Sequence, residues 1–159
     1  MTDILLIQPP VRDFYLTVKR TIPYGLACIA SVLLKEGFSV QILDGLATSK
    51  SRIIDLPKEM NYLREYYPKP DRSPFAMFHH YRHFGYSFEY IGKIARDSGA
   101  FLVGISALFT PYVEVALCVA ASVKKFHPEC RIVLGGHHPT SLPVSVMEHK
   151  AVDFVLRGE

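Results

Sequence analysis

A doubly wound α/β fold with a parallel sheet is what this 159-residue sequence predicts, on three observations. Short, nearly continuous apolar runs, the mark of strands covered on both faces, alternate with stretches of helical periodicity. Glycine and proline punctuate the junctions between them. Hydrophobic residues make up 49% of the chain, so a packed core is expected and disorder is not.

Ile4 to Gln8 reads as the first strand. Thr21-Ile22-Pro23 opens the first helix, because proline costs nothing in a first turn. Leu26, Ile29, Ala30, Leu33 and Leu34 then recur at the spacing of one buried face, and Gly37 supplies the stop. Phe38 to Leu43 is the second strand, closed by the Asp44-Gly45 turn signal. Residues 46–86 break the rhythm: this insertion is polar at first, holds Pro57, Pro68, Pro70 and Pro74, and is crowded with aromatic residues. The pattern resumes at Ser87, an N-cap, with Ile91, Ile94 and Ala95 on one helical face and Gly99 at its end. Phe101 to Ser106 is the third strand, and Thr110-Pro111 spells cap-then-N1 for a helix carrying Val113, Ala116, Leu117 and Ala120 inward. Arg131 to Leu134 is the fourth strand and runs into Gly135-Gly136; a short helix over Leu142 to His149 leads to a fifth strand, Val152 to Leu156. Alternation of this kind gives right-handed crossovers and, for five strands, the flavodoxin-like order 2-1-3-4-5, with an aromatic-rich insertion after strand 2 and one domain over residues 1–159.

Composition excludes several functions. The formal charge is +3 and the longest basic run is Lys124-Lys125, so nucleic acid is not the expected partner. No apolar stretch approaches the roughly 18 residues of a membrane span, and no signal peptide is visible, so a cytoplasmic protein is expected. Cys28, Cys118 and Cys130 have no CxxC spacing and read as buried free thiols. His79 and His83 stand at i, i+4 but lack a third ligand in register, so no metal site is expected.

In such a sheet ligands bind beyond the carboxyl ends of the strands, near the switch between strands 1 and 3. Three loops meet there: Gln8 to Tyr24, Ser106 to Pro111, and Gly135 to Thr140. Gln8 and Ser106 stand where a phosphoacceptor receiver needs carboxylates, and Pro9-Pro10-Val11-Arg12 stands where a flavin phosphate loop needs hydroxyls. The dinucleotide fingerprint and the P-loop are absent. What remains is Ser106-Ala107-Leu108 after strand 3 and Gly135-Gly136-His137-His138-Pro139-Thr140 after strand 4. Two readings of the glycine pair are open, a tight strand-to-helix turn and a slot for close approach by a ligand. Ser106 alone reads as a strand-end hydroxyl satisfying a backbone group.

Together these residues resemble the cobalamin-binding domain, whose S-x-L and GG signatures match Ser106-x-Leu108 and Gly135-Gly136. Ile22-Pro23-Tyr24-Gly25-Leu26, Gly104-Ile105-Ser106, Leu134 to Thr140 and Asp153 to Glu159 look like the N-terminal domain of B12-dependent radical-SAM proteins. The resemblance implies a corrinoid on the carboxyl edge of the sheet, with its nucleotide tail passing Ser106, Leu108, Gly135 and Gly136. Thr140 would hold the tail or cap the following helix, and His137, Phe109 and Thr110 would border the corrin. Related domains carry D-x-H-x-x-G after strand 1, whereas Pro9-Pro10-Val11-Arg12-Asp13-Phe14-Tyr15 stands here. The expectation is therefore base-off cobalamin without a histidine from that loop on cobalt, and Pro9, Pro10, Arg12, Tyr15 and Tyr24 are the candidates around the lower face. A solvated arginine and two packed tyrosines are the alternative for the last three. The insertion is either a lid or interdomain seam, or a packing layer over the sheet.

The iron–sulfur signature C-x-x-x-C-x-x-C is absent. The resemblance thus implies a fragment, a corrinoid carrier serving a radical-SAM catalytic domain in cis. S-adenosylmethionine and a [4Fe-4S] cluster would belong to that domain, with methyl transfer among its reactions. The competing expectation is a flavodoxin-like interaction scaffold that has lost its ligand.

Overall fold

In the computed structural model, which describes residues 2–15, 22–65 and 80–158, eight strands form two sheets. In chain order they are β1 Ile4–Gln8, β2 Val11–Asp13, β3 Val40–Asp44, β4 Ser51–Ile53, β5 Arg82–Phe84, β6 Leu102–Ser106, β7 Arg131–Gly135 and β8 Phe154–Leu156. Five of them make an all-parallel sheet in the order β3-β1-β6-β7-β8. Counted alone in chain order, these five lie as 2-1-3-4-5. The difference in detail is that β2, β4 and β5 intervene and pair as a separate antiparallel sheet, β2-β5-β4. The insertion therefore contributes strands, pairing with the segment that follows β1, and is not a mere overlay.

Helix α1 (Tyr24–Lys35) packs on one side of the parallel sheet, setting Leu26 and Ala30 against Ile4 and Leu6, with Leu33, Val40, Ile42 and Leu102 around them. Helices α2 (Phe88–Ser98) and α3 (Val113–Phe126) cover the other side, over Leu5, Ile7, Val103, Ile105, Ile132 and Leu134. Ser87 caps α2 as its sequence predicts: its hydroxyl accepts from the Tyr90 N–H at 3.2 Å, and Gly99 ends the helix in the left-handed conformation, φ 67°.

Several local expectations need correction. Pro23 is the N-cap of α1 and not its first helical residue, while Thr21 lies outside the described residues. Ile29 and Leu34 are exposed, because α1 is apolar around most of its circumference and only the Leu26–Ala30 stripe meets the sheet. Thr110 makes no side-chain cap; a short 3-10 turn, Thr110–Tyr112, precedes α3. The short helix expected over 142–149 is α5 (Pro143–Met147), and a further helix that was not expected, α4 (His137–Ser141), precedes it. Cys28 is exposed and Cys118 half-buried; of the three thiols only Cys130 is buried. His83 lies in strand β5, not on a helix, and His79 is outside the described residues, as are Tyr66, Tyr67, Phe75 and Phe78 of the insertion. Among its described aromatic residues Phe84 is fully buried, Tyr81 lies 5.1 Å from the Phe14 ring, and Tyr62 is exposed.

The far end of the sheet is fastened by Asp153, which accepts from the Ile132 N–H at 2.8 Å, Lys124 Nζ at 2.8 Å and Arg131 Nη1 at 3.1 Å. Partial burial pushes its carboxyl up, but the Lys124, Ile132 and Arg131 hydrogen bonds outweigh this and hold it at about 2. A carboxyl depressed in the folded state stabilises the fold above its ordinary value near 3.9, and that contribution is lost as pH falls toward about 2. Asp153→Asn is therefore expected to cost about 1–2 kcal/mol at pH 7, after allowance for solvent screening, and progressively less on acidification. Urea unfolding at pH 7 and pH 3 checks this: a gap between variant and wild type that does not narrow contradicts the assignment.

Candidate functional site

Side chains alternate along a strand, so the register fixes which residues share each face. Val103, Ile105, Ile132, Leu134 and Val155 belong to the core under α2 and α3. The opposite face of β6, β7 and β8 therefore carries Leu102, Gly104 and Ser106, then Arg131, Val133 and Gly135, then Phe154 and Leu156. Helix α1 stands on that side and packs chiefly on β1 and β3, reaching Leu102 at the start of β6. Phe154 and Leu156 are accordingly 54% and 62% exposed, an apolar wall where a parallel sheet is normally buried.

Gly135 forms the floor of this open channel: a Cβ there would stand 3.6 Å from Leu156 Cβ, so the floor stays at backbone level beside Leu156. Gly104 lies buried under the Leu6 side chain, where a Cβ would come within 2.8 Å of Leu6 Cδ2. Ser106 pairs with Gly135 in register at the head of the channel and is half-buried. Among the described residues its hydroxyl has no hydrogen-bond partner, unlike the strand-end role its position alone suggests.

The adjacent turn divides the glycine pair between the two readings left open by the sequence. Gly136 has φ 125°, and a Cβ there would lie 2.8 Å from the Ala107 carbonyl oxygen. It is the turn glycine. Ala107 N–H donates to Gly135 O at 2.8 Å and His138 N–H to Ala107 O at 3.3 Å, locking the ends of β6 and β7 together. Gly135 has no such backbone demand and belongs to the channel. Thr140 donates its hydroxyl to Gly136 O at 2.8 Å and accepts from the Gly158 N–H at 3.1 Å, so it closes the turn. His138 is buried with Nδ1 3.1 Å from Thr110 Oγ1, which fixes the loop after β6 to the loop after β7. Leu108 and Phe109 are half-exposed beside the exposed His137, whose ring is 6.4 Å from that of Phe109. These three make an apolar lip at the carboxyl edge.

The segment after β1 is arranged differently from the loop the sequence suggests. Pro9 leads through the fully buried Pro10 into strand β2. Arg12 lies over the Phe88 ring at 4.7 Å. Tyr15 Oη is 3.3 Å from Tyr112 Oη, and Tyr112 donates to Asp13 Oδ2 at 2.6 Å. Burial, with the hydrogen bonds to Asp13 and Tyr15, pushes the Tyr112 phenol far above its ordinary value, so it remains protonated. Tyr24 is 75% exposed at the start of α1. Arg12 thus stacks on Phe88, Tyr15 stands beside Phe84 and Tyr112, and Tyr24 is exposed at the head of α1. Ser106, Gly135, Leu108, Phe109, Thr110, Gly136, His137 and Thr140 do gather at the ends of β6 and β7. Sequence reading missed Tyr112 and Asp13, whose contact depends on tertiary structure alone.

Residues 76–159 match the family model described as the B12 binding domain. The chain is also similar to cytidylyl-2-hydroxyethylphosphonate methyltransferase of Streptomyces wedmorensis, with 27% identity over 157 residues. That alignment takes in 98% of this chain and 26% of the relative.

Proposed function

Because this chain belongs to the B12-binding domain family, we propose that it holds cobalamin base-off on the carboxyl edge of its parallel sheet, as the corrinoid module of a radical-SAM methyltransferase. The observation that carries this reading is the open channel floored by Gly135 beside the exposed Phe154 and Leu156. A bulky nucleotide tail needs a slot in which no side chain intrudes, and a glycine at the end of β7 keeps one open. Ser106 would offer its unengaged hydroxyl at the head of that slot, and Leu156 and Phe154 would give the tail an apolar wall. Leu108, Phe109 and His137 would lie against the edge of the macrocycle. When bound, cobalamin supplies a cobalt centre able to carry a methyl group.

Binding without a histidine on cobalt follows from the segment after β1. Residues 9–15 contain no histidine, and two buried-to-half-buried elements, Pro10 and strand β2, occupy the position. The catalytic partner would be a radical-SAM domain in the same polypeptide, carrying the iron–sulfur cluster and binding S-adenosylmethionine. The similarity to a methyltransferase of which this chain spans 26% supports that arrangement.

The lower cobalt face is tested by electron paramagnetic resonance of bound cob(II)alamin. The expected spectrum lacks nitrogen superhyperfine splitting. Clear splitting from one nitrogen in the bound species contradicts base-off binding without histidine.

A further inference from the structure

The antiparallel sheet carries a second polar arrangement, away from the channel. Arg12, His83 and Arg52 occupy one rung across β2, β5 and β4, so their side chains leave the same face. On such a rung neighbouring Cβ atoms stand about 5 Å apart, and like charges oppose each other. His83 is 2% exposed, with Nε2 2.8 Å from the Tyr86 carbonyl oxygen and its ring edge-on to Phe88. A carbonyl only accepts, so Nε2 carries the proton and the neutral ring presents Nδ1 as an acceptor. That atom is buried without a partner, and so is Arg12 Nε.

Burial drives His83 toward its neutral form; the Tyr86 hydrogen bond opposes this, and Arg12 and Arg52 reinforce it. The other titratable groups near Arg12 are Tyr81 beside β5, itself close to Asp13, and Cys118 on α3, close to Glu114. Among the described residues neither arginine is ion-paired with a carboxylate. The half-buried Arg12 and the exposed Arg52 stand on either side of this imidazole, and an oxyanion between them would pair with both.

We propose that Arg12, Arg52 and His83 form a binding site for a phosphate or phosphonate group, distinct from the channel over Gly135. The rung looks toward Phe88 at the start of α2, whereas the channel opens on the side of α1. The arginines supply forked N–H donors matched to phosphoryl oxygens. His83 Nδ1 accepts the acidic O–H of a hydrogen phosphate or phosphonate; if the proton crosses to the ring, the imidazolium donates it back to the dianion. No covalent bond to phosphorus changes.

The test is a titration of the 159-residue protein with inorganic phosphate, following the His83 ring nitrogens by NMR. A saturable His83 response is expected. Arg12→Gln and Arg52→Gln should each weaken it about tenfold or more, as loss of a charged hydrogen bond does. Repeating the titration with saturating cobalamin, and with cobinamide that lacks the nucleotide phosphodiester, identifies the source. Suppression by cobalamin alone makes the occupant the tail phosphodiester and overturns a site distinct from the channel; suppression by neither is expected, and makes the occupant a separate phosphoryl compound. Absence of a saturable His83 response in folded wild type overturns the proposal. So does unchanged affinity in both arginine variants when they melt like wild type.

Discussion

Replacing Gly136 with alanine is expected to destabilise the protein by about 3 kcal/mol, with a fall in Tm on the order of 10 °C. Two costs add. The φ of 125° lies in a region that L-residues rarely adopt, and the new Cβ would approach the Ala107 carbonyl oxygen to 2.8 Å. Relief is hard to find there, because the obstacle is backbone. Ala107 is itself held from both sides, through its N–H to Gly135 O and its carbonyl to the His138 N–H. The turn after β7 and the loop after β6 must therefore move together or not at all. A thermal melt compared with wild type checks the outcome. A variant within about 0.5 kcal/mol of wild type, the range of ordinary surface substitutions, would mean that the turn relaxes in a way this geometry does not allow.

The neighbouring position is expected to behave in the opposite sense. Gly135→Val should leave the melt nearly unchanged while weakening cobalamin binding by tenfold or more. The backbone at Gly135 is ordinary strand, where valine is favoured, and its Cβ would meet Leu156 Cβ at a normal 3.6 Å. The same side chain, however, rises from the floor of the channel. Overpacking a fitted site costs roughly 1–3 kcal/mol, and each 1.4 kcal/mol is tenfold in affinity. Two adjacent glycines thus separate fold from ligand: one is required by the turn, the other keeps the channel open.

How far the sequence alone reached follows from the range of the interactions involved. The five parallel strands and the helices between them were legible because continuous apolar runs, the Ser87 cap and the Gly99 stop are local signals. The antiparallel sheet was not legible. Each of its strands is three residues long, and Asp13 pairs with Arg82 from far along the chain, so no local periodicity marks them. Helix α1 misled for a different reason. With Ile29, Val32 and Leu34 exposed as well as Leu26 and Ala30 buried, its apolar spacing does not single out a face. At the site, Ser106, Leu108 and Gly135 were readable as a motif, but the division of roles between Gly135 and Gly136 depends on a backbone angle that no pair of letters encodes. Register sets Gly104 beside Val133, two residues before the Ser106–Gly135 pair, where Leu6 covers it.

We place the cobalamin tail in the channel over Gly135, beside Leu156. Equilibrium dialysis of the purified 159-residue protein against hydroxocobalamin tests this placement most directly, with wild type and Gly135→Val in parallel. The account predicts retention of one equivalent by wild type and loss of most of it by a variant whose melt is unchanged. Folded wild type that retains no cobalamin at high micromolar concentration, or a folded variant that retains it fully, would contradict the account.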